Sequence, residues 1–173
     1  MELGDTVMAK FASKGLREYE RYLENIGKNT PEIIGKGVYA MADVITNSIR
    51  AEIDSMPSET DRKGLAAYQK KPKEQAPLTE SQKKGLQEGL GIAKMQNDNG
   101  FLHVKVGFDG YNSIKTKKYP NGQPNAMIAR ALNSGTSFRP KTAFVDIAVR
   151  NARKQAVDKG ISAIDAEIEK IKE

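Results

Sequence analysis

The chain has 173 residues, of which 28 are lysine or arginine, 22 are aspartate or glutamate, one is histidine and none is cysteine. A chain of this length is expected to form a single domain, here residues 1–173, whose core needs no disulfide or metal. The missing cysteines exclude disulfides, thiolate metal sites and cysteine nucleophiles, and a lone histidine disfavours histidine metal sites and catalytic triads, so we expect neither an enzyme nor a bound metal or cofactor.

Two amphipathic helices are predicted in the first third of the chain. The first has apolar residues spaced three to five apart: Phe11, Leu16, Tyr19, Leu23 and Ile26. Gly27 is expected to end this helix, and Thr30-Pro31 to begin the next, because threonine is a favourable N-cap and proline suits the first helical position. The second helix carries a longer apolar stripe: Ile34, Val38, Met41, Ile45, Ile49 and Ile53. Its regular spacing predicts about five turns.

A long polar loop is predicted over residues 56–78. Pro57, Pro72 and Pro77 each interrupt helical structure there, although a short turn over Leu65–Tyr68 is compatible with the sequence. Connections of this length in a small domain are usually functional or disordered. We therefore expect an extended segment that contacts another molecule.

A short helix follows the loop. Thr79–Gln82 forms a capping-box pattern, in which the threonine oxygen and the glutamine side chain each satisfy a free N–H at the helix start. The apolar residues continue as far as Ile92, but three intervening glycines predict a short or bent helix. Asn97–Gly100 is expected to form a turn.

A half-buried strand is predicted next. Apolar and polar residues alternate over Leu102–Phe108, which is the period of two expected for a strand with one buried face. His103 falls on the polar face, so we expect an exposed strand residue and not a catalytic base. After a turn at Asp109-Gly110, Tyr111–Ile114 is compatible with a return strand.

Two further helices are predicted at the C-terminal end. The first spans Asn125–Asn133 and ends at Gly135, and the segment to Pro140 is expected to be extended because residues before proline avoid helical geometry. Thr142 is expected to cap the last helix, whose alanines would allow another helix to approach closely. Gly160 is expected to bend or break it, and residues 161–173 form a helical C-terminal extension with no evident core partner.

The positive charge is concentrated in the middle of the chain. Residues 1–55 have a net charge of −2, residues 56–124 of +5 and residues 125–173 of +3. Two lysine clusters account for much of this excess: Lys70, Lys71 and Lys73, and Lys115, Lys117 and Lys118. Such clusters can attract phosphate without sequence preference, or they can simply be solvated loops, and no established nucleic-acid-binding motif accompanies them.

Several short motifs occur in a recognisable order along the chain. They are Pro77-Leu78-Thr79 after the long helix, Val104–Gly107 in the strand, Ile128–Ser137, Arg139–Phe144 before an alanine-rich helix, and Val106–Asn112 followed by Gly122–Asn125. This arrangement resembles the tailed-phage neck proteins described as head–tail joining, tail-completion or tail-component proteins. It is most similar to versions from phages and prophages of Gram-positive hosts, and the resemblance covers residues 11–171.

The resemblance implies a fold, a location and partners. The expected fold is α+β, with a small antiparallel or mixed sheet between a long N-terminal amphipathic helix and a C-terminal helix. Such subunits form rings, commonly six-fold, that join the capsid portal to the tail tube while genomic DNA passes through the centre. The implied partners are further copies of the chain, neighbouring neck, portal-side and tail-tube proteins, and DNA without sequence recognition. No catalytic residues belong to the family.

This interpretation places the protein in the virion. The chain has no secretory-signal pattern and no run of about 18 apolar residues, so we expect synthesis in the host cytoplasm and no membrane partner. The candidate subunit or partner contacts are Lys70, Lys71, Lys73, Lys115, Lys117, Lys118, Thr136, Ser137 and Arg139. Arg139 is of particular interest because a planar guanidinium can bind a carboxylate of another subunit through two hydrogen bonds. The alternative hypothesis is a basic nucleic-acid-binding module that acts through the lysine-rich loops.

Overall fold

The computed structural model describes residues 14–69 and 76–172 of the chain. The elements formed there are α1 (Lys14–Ser55), α2 (Asp61–Gln69), α3 (Glu80–Gly89), β1 (Leu90–Ile92), β2 (Gln96–Asp98), β3 (Phe101–His103), β4 (Val106–Phe108), α4 (Asn125–Ser134) and α5 (Phe144–Lys172). The strands form two antiparallel pairs, and the first and last helices are the longest elements. The predicted α+β class is therefore confirmed.

The first helix is continuous, so the predicted break at Gly27 and Thr30-Pro31 is wrong. The Thr30 hydroxyl does not cap a new helix, because it donates to the Ile26 carbonyl of the preceding turn at 2.8 Å. Pro31 lies inside α1, where it forfeits a single backbone hydrogen bond. The helix continues through both signals and reaches 42 residues.

The two long helices pack against each other in opposite directions. Met41 lies against Gly160, and Gly37 lies against Ile164, so a step backwards along α1 corresponds to a step forwards along α5. Three alanines of α5 are buried, as their small size predicted: Ala148, Ala152 and Ala156. The absence of side chains at the two glycines allows the helix backbones to approach closely.

Two expectations for α5 are corrected by this packing. The helix runs through Gly160 without a break, and this glycine is the place where the Met41 side chain reaches the α5 backbone. The isoleucines beyond it have a packing partner, since Ile164 covers Gly37 of α1. Farther along, Glu167 pairs with Lys36 at 2.7 Å.

The β2–β3 pair lies between β1 and β4 along the chain, and the registers of the two antiparallel pairs differ by one residue. Leu90 of β1 is opposite Phe108 of β4, and Gln96 of β2 is opposite His103 of β3. Three residues separate β1 from β2, whereas two separate β3 from β4. The extra residue is a bulge-like irregularity, which explains why the predicted strand over 102–108 is divided into β3 and β4.

Two further differences from the predictions concern this region. The helix that was expected to reach Ile92 ends at Gly89, because Leu90–Ile92 pairs with β4 as a strand. Tyr111–Ile114 is not a return strand. Instead, the Asn112 side chain accepts a hydrogen bond from the Ile114 N–H at 3.0 Å, which closes a local turn.

The hydrophobic core lies where the C-terminal part of α1 meets α3, α4, the β1–β4 pair and the beginning of α5. Its buried members are Ile49, Ile53, Leu78, Leu86, Leu90, Ile128, Ala129, Leu132, Phe144 and Ala148. Met56 and Leu78, at the two ends of the segment 56–78, lie at this core, and the segment is not extended throughout its described part, because residues 61–69 form α2. The core therefore supports the loops between α2, α3 and α4, where the candidate site lies.

Candidate functional site

A cavity of about 470 Å³ lies between α2, the segment 76–79, the loop 116–119, α4 and the turn 136–139. The described parts of its wall come from five stretches that are distant in sequence. Residues of α2 and α4 with aliphatic side chains form part of the wall, and its polar members include Gln82, Lys117, Lys118 and Arg139. The cavity thus combines an apolar lining with a few polar groups, as ligand sites usually do.

A tight turn positions Arg139 at this cavity. The Thr136 and Arg139 backbones exchange two hydrogen bonds, at 2.9 and 3.3 Å, which closes the turn. Gly135 precedes it with φ 77°, a left-handed value that favours glycine. The Phe138 carbonyl also accepts the Ala76 N–H at 2.7 Å, which ties the turn to the segment 76–79.

Arg139 is a buried cation with incomplete pairing. The residue is 6% exposed, and its Nη2 donates to the Gln82 Oε1 at 3.0 Å. Its other terminal nitrogen, Nη1, is buried and has no hydrogen-bond partner. Burial lowers the pKa of the guanidinium, because removal from water disfavours the charged form. Among the residues that the structure describes, no carboxylate pairs with it.

Gln82 connects Arg139 to the start of α3. Its Oε1 accepts both from Arg139 and from the Thr79 N–H, which is the second half of the predicted capping box. Its Nε2 donates to the Gln123 Oε1 at 2.8 Å. Both acceptor positions of the Gln82 oxygen are therefore used, and Gln82 offers no free acceptor for Nη1.

The structure gathers four of the predicted contact residues at one place. Thr136, Arg139, Lys117 and Lys118 all line the cavity. The backbones of Lys115 and Ser137 belong to the same loop and turn, and both side chains are exposed. The remaining three, Lys70, Lys71 and Lys73, lie outside the described residues.

Arg139 occupies a different environment from the one expected of an interface residue. A contact residue on the outer surface would be exposed, whereas Arg139 is reached through the cavity. Sequence reasoning assigned Gln82 to a cap and missed its contacts with Gln123 and Arg139. Those partners lie 41 and 57 residues away, and no local pattern signals them.

His103 is half-buried, and its position differs from the expected exposed one. Its Nε2 lies 3.1 Å from the Gln96 Oε1 and 3.8 Å from a carboxylate oxygen of Asp98. Within residues 14–69 and 76–172, no group of three or more histidines, aspartates and glutamates is placed to hold a metal. In the same part of the chain, no helix has the length and apolar character needed to cross a bilayer.

A second surface feature is the N-terminal part of α1. We call residues 17–30 the projecting segment. Lys36 pairs with Glu167, and α5 ends at Lys172, so α5 reaches about five residues beyond Lys36 along antiparallel α1 and no farther. Tyr19 is 58% exposed and Leu23 is 50% exposed on this segment. The apolar stripe predicted there exists, but within the described residues it lacks the burial expected of a core face.

Comparison with protein-family models, with curated proteins and with solved structures finds no match in any of the three. The function must therefore be argued from the residues of this chain. Two features carry that argument: the projecting segment and the cavity that contains Arg139.

Proposed function

We propose that the chain is a structural subunit of a tailed-phage neck, which acts by ring-forming contacts and without catalysis. The motifs from Pro77 to Phe144 support this assignment through their resemblance to neck proteins. The structural observation that carries it is the exposed apolar stripe of the projecting segment. A helix face of this kind becomes favourable when a neighbouring molecule covers it.

The lengths of the helices explain why α5 does not cover this face. At 1.5 Å per residue, α1 is about 63 Å long and α5 is about 43 Å long. The two run antiparallel, and their paired contacts pass from Met41–Gly160 to Lys36–Glu167. The end of α5 therefore lies near the middle of α1, and the projecting segment extends past it.

A second copy of the chain is the neighbour that suits this segment. Its charged residues are three basic and three acidic ones: Arg17, Glu18, Glu20, Arg21, Glu24 and Lys28. A surface of mixed charge does not repel another copy of itself, and Tyr19 and Leu23 supply apolar area between the charges. In a ring, this segment would meet a different surface of the next subunit, since ring contacts are head-to-tail.

The first experiment asks whether the protein is part of a particle. Particles purified from the bacterium or phage that encodes the chain are analysed by quantitative mass spectrometry. We expect the chain at a low, fixed number of copies per tail. Intact particles with all other structural proteins but without this chain would refute the neck assignment.

The second experiment tests the projecting segment directly. Leu23→Glu introduces a charge on the apolar stripe, and Asn25→Glu introduces the same charge at another exposed position of α1. We expect Leu23→Glu, and not Asn25→Glu, to abolish concentration-dependent association in sedimentation velocity and incorporation into particles. Equal incorporation of both variants would contradict the role of this segment.

A labelled DNA duplex in the same sedimentation experiment tests the nucleic-acid alternative. Under this alternative, DNA would bind to exposed lysines such as Lys115 and Lys117. Tight co-sedimentation that persists at physiological salt, and that is lost in a Lys115→Gln/Lys117→Gln variant, would favour the nucleic-acid-binding module over the assembly protein. Binding that disappears at physiological salt would reflect only the general attraction of lysines to phosphate.

A further inference from the structure

We propose that the cavity beside Arg139 is a binding site for a carboxylate group carried on a short apolar body. Arg139 is the counter-ion of that carboxylate, and the walls of α2 and α4 enclose its apolar part. This inference goes beyond the proposed function, because it rests on the cavity alone. A free carboxylic acid and an acidic side chain of another protein share this chemistry.

The charge of the site is the first argument. Arg139 is 6% exposed as a residue and its Nη1 is buried, and a buried cation is costly without a partner of opposite charge. Gln82 supplies one neutral acceptor and leaves Nη1 unpaired. An incoming carboxylate would satisfy both the charge and the free N–H groups.

The space beside Arg139 is the second argument. A cavity of about 470 Å³ is within the size range of small-ligand sites, which is roughly 300–1,000 Å³. Leu65, Met127 and Ile128 line it with aliphatic surface. This volume gives the guanidinium room to turn towards a ligand, and the aliphatic walls favour an apolar body next to the charged group.

The available donors distinguish a carboxylate from a phosphate. Phosphate dianions are usually held by several converging donors. Here the backbone N–H groups of Ala76, Tyr119 and Arg139 are already bonded to other backbone carbonyls. One buried cation with one unpaired terminal nitrogen matches a single negative charge. Lys117 and Lys118 also line the cavity, but both residues are exposed to solvent.

Hexanoate is the probe for the free-acid source, and hexan-1-ol is its neutral counterpart. We expect hexanoate to bind in isothermal titration calorimetry and to shift the NMR signal of the Arg139 guanidinium. Hexan-1-ol should bind at least roughly tenfold more weakly, since it lacks the charge. Equal binding of the two, no binding of hexanoate, or tighter binding of hexyl phosphate would overturn the proposal.

Gln82→Glu tests the role of Arg139 without removing it. The substitution keeps the size of the side chain and places a carboxylate where Arg139 already donates at 3.0 Å. This internal carboxylate should neutralise Arg139 and abolish hexanoate binding. Gln155→Glu adds the same charge at an exposed position of α5 and should bind hexanoate like the unmodified protein. Unchanged binding by Gln82→Glu would contradict the assignment of Arg139.

A second pair of variants tests the cavity itself and does not depend on the folding of Gln82→Glu. Ala131→Leu fills the cavity from α4, whereas Ala126→Leu adds the same atoms at an exposed position of the same helix. Hexanoate binding should be lost only in Ala131→Leu, and equal affinity of both variants would overturn the proposal.

A peptide identifies the source of the carboxylate. The probe is a capped tetrapeptide with one glutamate between leucines, and its control has glutamine in place of the glutamate. Binding of the glutamate peptide with higher affinity than hexanoate would assign the site to a protein partner. Binding of hexanoate alone would assign it to a free acid.

Discussion

Gly37 provides the sharpest test of the packing between the two long helices. A methyl group added in Gly37→Ala would lie 2.6 Å from the Ile164 Cγ1 and 3.2 Å from the Gly160 carbonyl oxygen. The tip of Ile164 can rotate, but the carbonyl belongs to the backbone of α5. The substitution must therefore push α1 and α5 apart or strain both of them.

The expected magnitude follows from two opposing contributions. Overpacking in a well-filled contact lowers the free energy of unfolding by about 1–3 kcal/mol. The better helix propensity of alanine raises it by about 1 kcal/mol. We expect the free energy of unfolding to fall by about 1 kcal/mol, which corresponds to a decrease in Tm of about 3 °C for a domain of this size. Gly27→Ala is the control, because nothing lies within 4 Å of a Cβ at that position.

The assay is urea unfolding followed by far-UV circular dichroism. Gly27→Ala should keep or raise the helical signal and the stability, whereas Gly37→Ala should lower the stability. In an Ile164→Ala background the methyl group at position 37 gains space, so the two changes should be coupled in a double-mutant cycle. Gly37→Ala with undiminished stability, or without coupling to Ile164, would refute the described packing.

Two further predictions concern the region around Gln82. Gln82→Leu should lower the free energy of unfolding by about 3 kcal/mol in urea titrations, because it leaves both Arg139 and the Thr79 N–H without a partner. Gln123→Leu should cost less, because it removes only the hydrogen bond from the Gln82 Nε2. Burial alone would raise the pKa of Asp61, but hydrogen bonds from Ser81 and Thr79 outweigh it and hold the pKa below its ordinary value. Asp61 therefore contributes stability above about pH 4 that is lost as the pH falls through its lower folded pKa, and Asp61→Asn should flatten the pH dependence of Tm in that acidic range.

Local signals in the sequence were sufficient for most of the element types. The capping box at Thr79 forms as predicted, because both of its hydrogen bonds join residues three apart. The alternation over Leu102–Phe108 identified a β-region, although the bulge in the partner strand divides it. These features depend on residues that are close in sequence, so a sequence pattern can predict them.

The break predicted at Gly27 and Pro31 failed for a different reason. Local stop and start signals each change the free energy by a few kcal/mol at most. The packing of α5 along α1 from Ile33 onward stabilises the second part of the helix, and the Thr30 hydroxyl joins the helical turn instead of ending it. Contacts with a distant element therefore outweigh the local preferences.

The environment of Arg139 could not be predicted from sequence patterns, because it is formed by residues that are distant in sequence. Residues 136–140 were expected to be extended because residues before Pro140 avoid helical geometry, but residues 136–139 form a tight turn. The environment of Arg139 also depends on Ala76 and Gln82, which come from other parts of the chain. The residues of the cavity wall are likewise separated by tens of positions. Only the fold shows that a predicted surface arginine and two predicted loop lysines border the same space.

The two proposed sites lie at opposite ends of α1, so they can be tested separately. Leu23 of the projecting segment and Ile53 of the core are 30 positions apart, which corresponds to about 45 Å along a helix. Sites this far apart without shared partners usually respond additively to substitution. Leu23→Glu should therefore abolish association and keep hexanoate binding, whereas Gln82→Glu should do the reverse. If either variant lost both properties while its circular dichroism spectrum stayed native, the two surfaces would be coupled and the independence argued from α1 would be wrong.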